Sequence, residues 1–352
     1  VATGVRPDKF GTLDVLRGVA AVAVMAFHFK KLLPYSEYWG CISGYLVLDF
    51  FFALSGFVLA HAYDRRLDSR LTPGAFAVQR FIRLLPMIWV GALIGLAIGL
   101  GKGHNPLEVV RSAAFSLFAV PNYVSFDTSI FPLNSAEWSL FFEIFINLIF
   151  AYFFQSLRGR TLWLLIAAAA VCLAVFALRL GTLSGGWEWA TVYVGFARVA
   201  FSFFLGMQLN RSFDLWSKHV PKVPPFVLIL GLLAILQVHP NQTLRPFFDL
   251  AVIMIGSPAL VMFGAVTECR HEKFVHFMGA LSYPLYAIHD PFVGAARGLV
   301  KKYDVLAGVL PVALVILLPF VSYGLAMLYD APIRAFLTQA VVRRRAAVPR
   351  PS

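Results

Sequence analysis

Charge is scarce in this chain. Only 14% of its 352 residues are Asp, Glu, Lys or Arg, against about a quarter in a soluble globular domain. That excludes an ordinary water-soluble fold. Cysteine is scarcer still. Cys41, Cys172 and Cys269 stand alone, with no CxxC pair and no metal-ligand spacing, which excludes a zinc site and a disulfide framework. There is no internal repeat and no low-complexity linker, which argues against a solenoid or a string of modules. Acidic residues number 18 against 30 basic ones, for a net charge of +12. In a chain this apolar the excess reflects Lys and Arg retained in cytoplasmic loops, so no nucleic-acid partner is expected. What the chain does have is apolar residues: 59% of the total, mean hydropathy +0.76 and 34 phenylalanines. These describe an all-α polytopic membrane protein surrounded by lipid.

Spans of about 20 residues are expected at 13–33, 44–63, 80–100, 137–156, 162–180, 190–209, 225–239, 247–266, 276–297 and 307–329, about ten helices. The run 225–239 is short and led by proline. The run 107–121 is also short and ends at Pro121, so it reads as a re-entrant or interfacial segment. Arg6 and Lys9 before the first run resemble a signal peptide, but ionisable residues inside the run and no small-residue cleavage site favour a retained helix.

Loop charge sets the orientation. With a cytoplasmic N-terminus, the inside loops hold Arg65, Arg66, Arg70, Arg80, Arg158, Arg160, Arg211, Lys218, Lys222, Arg270, Lys273 and Arg343 to Arg345. The outside segments hold Lys30, Lys31, Lys102, Arg111, Arg179, Arg245, Lys301 and Lys302. The asymmetry places both termini in the cytoplasm. A full span at 107–121 would put Arg158 and Arg160 outside. The expected divisions are a cytoplasmic segment at 1–12, one membrane domain at 13–330 and a basic cytoplasmic tail at 331–352, helical for a turn or two.

The first span, LDVLRGVAAVAVMAFHFKKLL, carries Asp14, Arg17 and His28. Asp14 and Arg17 are i,i+3, and eleven steps from Arg17 to His28 are about three turns plus 20°, so all three share a face. Charges in a bilayer are expensive and usually mark function. Arg17 and His28 should lie about 16 Å apart along the axis. Counting inward from the outer ends of spans 2 and 4, Asp49 and Glu143 should share the depth of His28. A histidine with a level carboxylate can form a general base with an orienting acid; a hydrogen-bonded structural histidine is the plain alternative. Ser139, Glu143 and Asn147 make one polar stripe at i,i+4 spacing. Arg80 and Arg83, i,i+3 in RFIRLLP, could grip phosphates at the cytoplasmic mouth, or merely anchor the helix. In LSYPLYAIHDPF, Ser282, Tyr286 and His289 suit sugar hydroxyls or a helix-packing network. Arg198 needs a partner that the sequence does not name.

Arginines at one mouth suit a polyanionic donor, and the separation from His28 suits a pantetheine arm. LDVLRGVAAVAVMAFHF, DFFFALSGFVLAHAY, RFIRLLP, EWSLFFEIF and LSYPLYAIHDPF occur in the order in which they occur in the acyltransferase-3 family of membrane acyltransferases, which the chain resembles from Phe10 to about Asp330. The resemblance implies a ten-helix enzyme of the bacterial cytoplasmic membrane. It would transfer an acyl group, acetyl by default, from acyl-CoA to an exported or lipid-linked carbohydrate. His28 would be the catalytic histidine, Arg17 its first-helix arginine, Arg80 and Arg83 the paired arginines, and Glu143 the acid of the W-S-L-x-x-E motif. No tightly bound cofactor is expected, because acyl-CoA is a co-substrate; oligomeric state stays open.

On this reading Arg17, Arg80 and Arg83 bind the donor, and His28, oriented by Glu143 or Asp49, takes the acceptor proton. A covalent acyl-histidine is the alternative route. Ser55, Tyr283 or Asn147 could stabilise the oxyanion. Asp14, Trp138, Asn147, Tyr283, Tyr286 and His289 are candidates for acceptor contact. The rival class is a proton-coupled transporter or glycan exporter using the same His, Asp and Glu, although no inverted repeat is visible.

Overall fold

The computed structural model describes residues 9–33, 41–69, 71–123 and 127–347. Among these residues there is no strand, only an isolated bridge between Ser129 and Glu188. The helices are α1 (Gly11–Lys30), α2 (Val47–Ser69), α3 (Pro73–Gly101), α4 (Pro106–Leu117), α5 (Glu137–Tyr152), α6 (Gly159–Leu180), α7 (Val192–Arg211), the single turn α8 (Phe213–Trp216), α9 (Pro225–Gln237), α10 (Arg245–Ala251), α11 (Ser257–Val266), α12 (Glu272–Lys302), α13 (Leu310–Leu325) and α14 (Ala331–Ala347). A π-turn at Val252–Gly256 joins α10 to α11, and another at Ala326–Asp330 joins α13 to α14.

Local chemistry starts and stops these helices. Thr72 caps α3, its side chain accepting from the Ala75 N–H at 3.3 Å, with Pro73 in the first turn. Asn105 caps α4 in the same way, ahead of Pro106. Proline costs little there, because the first N–H groups of a helix have no partner within it. Gly181 ends α6 in the left-handed region, at φ +72°, where a Cβ would be penalised.

Seven helical stretches among the described residues are long and apolar enough to cross a bilayer: Gly11–Lys30, Gly44–Asp68, Pro73–Gly101, Gly159–Leu180, Trp189–Arg211, Arg245–Val266 and Leu310–Arg343. The three other expected spans correspond to α5, of 16 residues, α9, of 13, and the 31-residue α12, which carries charge and two internal prolines. The expected boundaries shift at the end of the chain. The helix from α13 runs on through α14 to Ala347, where only a turn or two was expected.

Burial separates centre from perimeter. The most apolar windows of α1 and α2 are 61% and 67% buried, those of α6 and the α13–α14 stretch only 28% and 17%. The outer helices therefore face lipid, and the inner ones surround the polar residues. Phenylalanine fills the centre: Phe50, Phe57, Phe76, Phe142, Phe150 and Phe203 are all fully buried. Helices α2 and α7 run parallel in near-backbone contact. A Cβ on Gly206 would lie 1.9 Å from the Ala53 carbonyl oxygen, and one on Gly56 2.0 Å from that of Phe203. Between spans with only lipid as the alternative neighbour, such small-residue crossings are a main source of association.

The face from which α1 starts is the near face, and the one where it ends is the far face. Asp68 pairs with Arg158 at 2.7 Å, and Asp64 with Arg211 at 2.7 Å. The loops around these residues thus share the near face, as the charge count expects. The segment 107–121 is re-entrant. Trp89, in mid-α3, donates from its indole to the Leu117 carbonyl at 3.0 Å, and Asn122 donates back to the Ser112 hydroxyl at 2.9 Å. Helix α4 therefore descends beside α3 to the depth of Trp89, and the chain returns without crossing.

Candidate active site

Two cavities open among α1, α2, α3, α5 and α12. The near cavity, about 350 Å³, is lined by Arg17, Arg80, Arg83, Glu143, Tyr283 and a set of apolar residues of α2. The far cavity, about 570 Å³, is lined by His28, Lys31, Lys102, Trp138, Asp290 and Arg297, among others. Leu48 and Tyr286 line both. The two spaces thus adjoin at these two side chains. The Tyr286 hydroxyl lies 2.6 Å from the Ser139 hydroxyl and donates to the Ala136 carbonyl at 3.2 Å, and Phe51 meets its ring edge to face.

In the near cavity each arginine is held differently. Arg17 is fixed by Asp14 at 2.9 Å, the Ser282 hydroxyl at 2.9 Å and the Gly279 carbonyl at 3.1 Å. Arg80 donates to Glu143 at 2.8 Å, and its Nε has no partner. Arg83 makes no hydrogen bond or ion pair with any described residue. Asp14 and Glu143 serve Arg17 and Arg80, and Arg83 is left without a carboxylate at ion-pair distance among the described residues, so this arginine-lined wall is a fit for phosphate oxygens.

In the far cavity His28 Nδ1 stands 4.0 Å from Asp290 Oδ1. The other oxygen of Asp290 accepts the Ser135 N–H at 2.7 Å, so the carboxylate is held in place beside the imidazole. One bridging water or a small rotation would close the 4.0 Å gap, and catalytic hydrogen bonds are often long in unliganded proteins. The His289 ring lies 5.2 Å from the His28 ring. Its Nδ1 is 2.8 Å from the Tyr286 carbonyl oxygen.

These positions correct four expectations. Asp49 does not face His28. It is fully buried and paired with Arg198, whose Nη2 reaches it at 2.5 Å; Asp49 is the partner that Arg198 needed. Glu143 is not level with His28 either. It sits beside Ser55 and Arg80 in the near cavity. Six residues of α2, about 9 Å of axis, separate Asp49 from Ser55. The expectation took Glu137 as the outer surface of span 4, but Glu137 is 1% exposed. The preceding loop is already deep in the bundle, where Asn134 donates to the Ala287 carbonyl at 2.8 Å. Every depth counted from Glu137 was therefore about two turns too shallow. Asp14 serves Arg17 and lines neither cavity, and Asn147 also lines neither. Both of its side-chain polar atoms are buried without a partner.

Of the other acceptor candidates, Trp138 lines the far cavity, Tyr283 the near one and Tyr286 both. The Tyr283 hydroxyl donates to the Leu84 carbonyl. His289 is fully buried beneath His28 rather than on a cavity wall. Sequence reasoning missed Asp290, although it follows His289 in LSYPLYAIHDPF. On α12 it is the residue that α1 brings to His28, a juxtaposition that no spacing within one helix reveals. Lys31 and Lys102 were read only as loop charges, and Arg297, the last residue of the expected span 276–297, was not singled out.

The fold and the paired cavities define a polytopic, all-α membrane protein with a polar interior. The family of acyltransferase domains Acyl_transf_3 matches residues 10–330, and the chain belongs to that family; it is an acyltransferase. It is similar to "Protein 2 in picA locus" of Rhizobium radiobacter, 34% identical over 188 residues, which are 49% of this chain and 96% of that protein. It is also similar to exopolysaccharide production protein ExoZ of Rhizobium meliloti (strain 1021), 28% identical over 255 residues, 69% of this chain and 74% of that protein. No solved structure matches it.

Proposed function

We propose that this acyltransferase moves an acyl group, acetyl by default, from cytoplasmic acyl-CoA to a hydroxyl of an exported or lipid-linked carbohydrate, across the bacterial cytoplasmic membrane. The near face is then cytoplasmic. The observation that carries the reading is the pair of cavities meeting at Leu48 and Tyr286, one lined by arginines and the other by His28. The likeness to an exopolysaccharide production protein supports a carbohydrate as acceptor.

Acyl-CoA enters the near cavity with its phosphates against Arg83, Arg80 and Arg17. The pantetheine arm passes Tyr286 and delivers the thioester to the far cavity, about 16 Å along α1 from Arg17. The acceptor hydroxyl lies against His28. The imidazole takes its proton as the oxygen attacks the thioester carbonyl. The carbon–sulfur bond then breaks, and the leaving thiolate takes from His28 the proton that came from the acceptor hydroxyl. Asp290, which takes the orienting role expected of Glu143 or Asp49, holds the ring and stabilises its transient positive charge. Glu143 instead positions Arg80.

The test is release of CoA thiol by the purified protein in lipid nanodiscs given acetyl-CoA and longer acyl-CoAs. Thiol should appear slowly without acceptor, by hydrolysis, and faster with one. A preparation that releases no thiol but carries a proton-coupled solute across sealed vesicles would overturn the reading in favour of a transporter.

A further inference from the structure

The far cavity holds more positive charge than recognition of a neutral sugar requires. Asp290, Gly294 and Arg297 stand at i, i+4 and i+7 on α12, so they share a face. Gly294 has no side chain, and a Cβ there would lie 3.1 Å from Lys102 Nζ. The end of α3 thus drops its ammonium into the space above Gly294, between Asp290 and Arg297. Lys31, just past the end of α1, reaches the same cavity as His28. Burial and then the Arg297 guanidinium pull both ammonium groups below their ordinary range, with Asp290 opposing.

Two carboxylates, Asp290 and Asp127, therefore line a cavity with three cations; Asp290 is already engaged with the Ser135 N–H and with His28, and Asp127 accepts from the Thr128 N–H at 2.6 Å. Among the described residues Lys102 and Arg297 make no hydrogen bond and no ion pair within 4 Å, and Lys31 lies 4.8 Å from the Phe27 ring centre. Gathering three like charges around an open space with fewer carboxylates than cations is unfavourable in the free protein. On the proposed orientation they also stand on the face that topology normally leaves poor in Lys and Arg, so insertion does not account for them.

We propose that the acceptor is anionic, and that Arg297, Lys102 and Lys31 hold its phosphate or carboxylate beside the hydroxyl that His28 deprotonates. This rests on the acyltransferase reading above. Arg297 is seven residues past Asp290, about 10 Å along α12. The charge and the reacting hydroxyl therefore belong to the same sugar or to adjacent units. Two sources carry this chemistry, an acidic sugar and the diphosphate of a lipid carrier. The planar guanidinium suits either, because it grips both groups in bidentate fashion.

The experiment uses the full chain in nanodiscs of zwitterionic phosphatidylcholine, with the near cavity saturated by CoA. Binding of glucose, glucuronic acid and polyprenyl-diphosphate-linked glucose is measured by calorimetry, and CoA thiol release is followed with acetyl-CoA. At least one anionic probe should bind about ten-fold tighter than glucose, as expected for a charge-assisted contact. Preference for glucuronic acid assigns the charge to the sugar, and preference for the diphosphate assigns it to the carrier. Arg297→Gln and Lys102→Gln should each erase most of that preference with unchanged affinity for CoA. Gly294→Ala should weaken it with every charge retained, by displacing the Lys102 ammonium.

Equal binding of all three probes would overturn the proposal, as would a preference that survives Arg297→Gln but vanishes in Arg83→Gln. Thiol release that is equally fast with glucose and the anionic probes leaves the acyltransfer reading standing and removes the anion site. Anion binding through Arg297 without any thiol release does the reverse.

Discussion

Two of the arginine–carboxylate pairs in this bundle do opposite things with their hydrogen bonds. Arg198 and Asp49 are 1% and 0% exposed. Arg198 spends every donor group on the protein: Nε on Asp49 at 3.1 Å, Nη2 on Asp49 and on the Tyr45 carbonyl at 2.7 Å, Nη1 on the Leu183 and Gly185 carbonyls. Arg80 and Glu143, at 15% and 22%, share one bond of 2.8 Å on the wall of the near cavity, and Arg80 Nε stays unpartnered. A saturated guanidinium ties α7 to α2 and to the loop beyond α6. An unsaturated one at a cavity wall is ready for a ligand. Ionisable residues in a membrane interior thus divide by how many of their donors remain free.

The sharpest way to break this comparison is to remove the two carboxylates separately. Asp49→Ala strands the buried Arg198 charge and should cost about 3–5 kcal/mol, the usual penalty for orphaning half of a buried pair. Chemical unfolding in detergent reads this as a large drop in the midpoint. Glu143→Ala should cost much less, because water in the near cavity can reach Arg80. Equal losses would erase the distinction. A smaller effect is expected at Arg83, which has no hydrogen bond or ion pair among the described residues to lose. Arg83→Ala should leave the unfolding midpoint unchanged and weaken acyl-CoA binding about ten-fold, or about 1.4 kcal/mol. Unchanged donor affinity would remove its phosphate role.

The fold was legible where apolar length decides the outcome. The long spans, the re-entrant 107–121 segment and the shared face of residues 64–68, 158–160 and 211 all follow from hydropathy and loop charge. So did the near cavity in outline, since Arg17, Arg80 and Arg83 converge there. Depth was legible only where a helix begins at the membrane surface. Glu137 looked like such a beginning because it is charged, but the loop before it folds into the bundle, and Glu143 moved to the other cavity with it. Pairing between helices was not legible. Nothing in DFFFALSGF announces that Asp49 will meet Arg198, and nothing in α1 announces Asp290. Contact between residues separated by more than 140 positions in the chain is set by which helices the glycine crossings allow to touch, as at Gly56 and Gly206.

The central claim is that the imidazole on α1 performs the proton transfer, from a site distinct from the arginine-lined one. It is tested most directly by His28→Ala in nanodiscs, measuring CoA binding and acceptor-dependent thiol release on the same preparation. The account predicts wild-type affinity for CoA with acceptor-dependent release reduced at least 100-fold, about the lower bound for loss of a general base. Thiol release at the wild-type rate from the folded variant would contradict it.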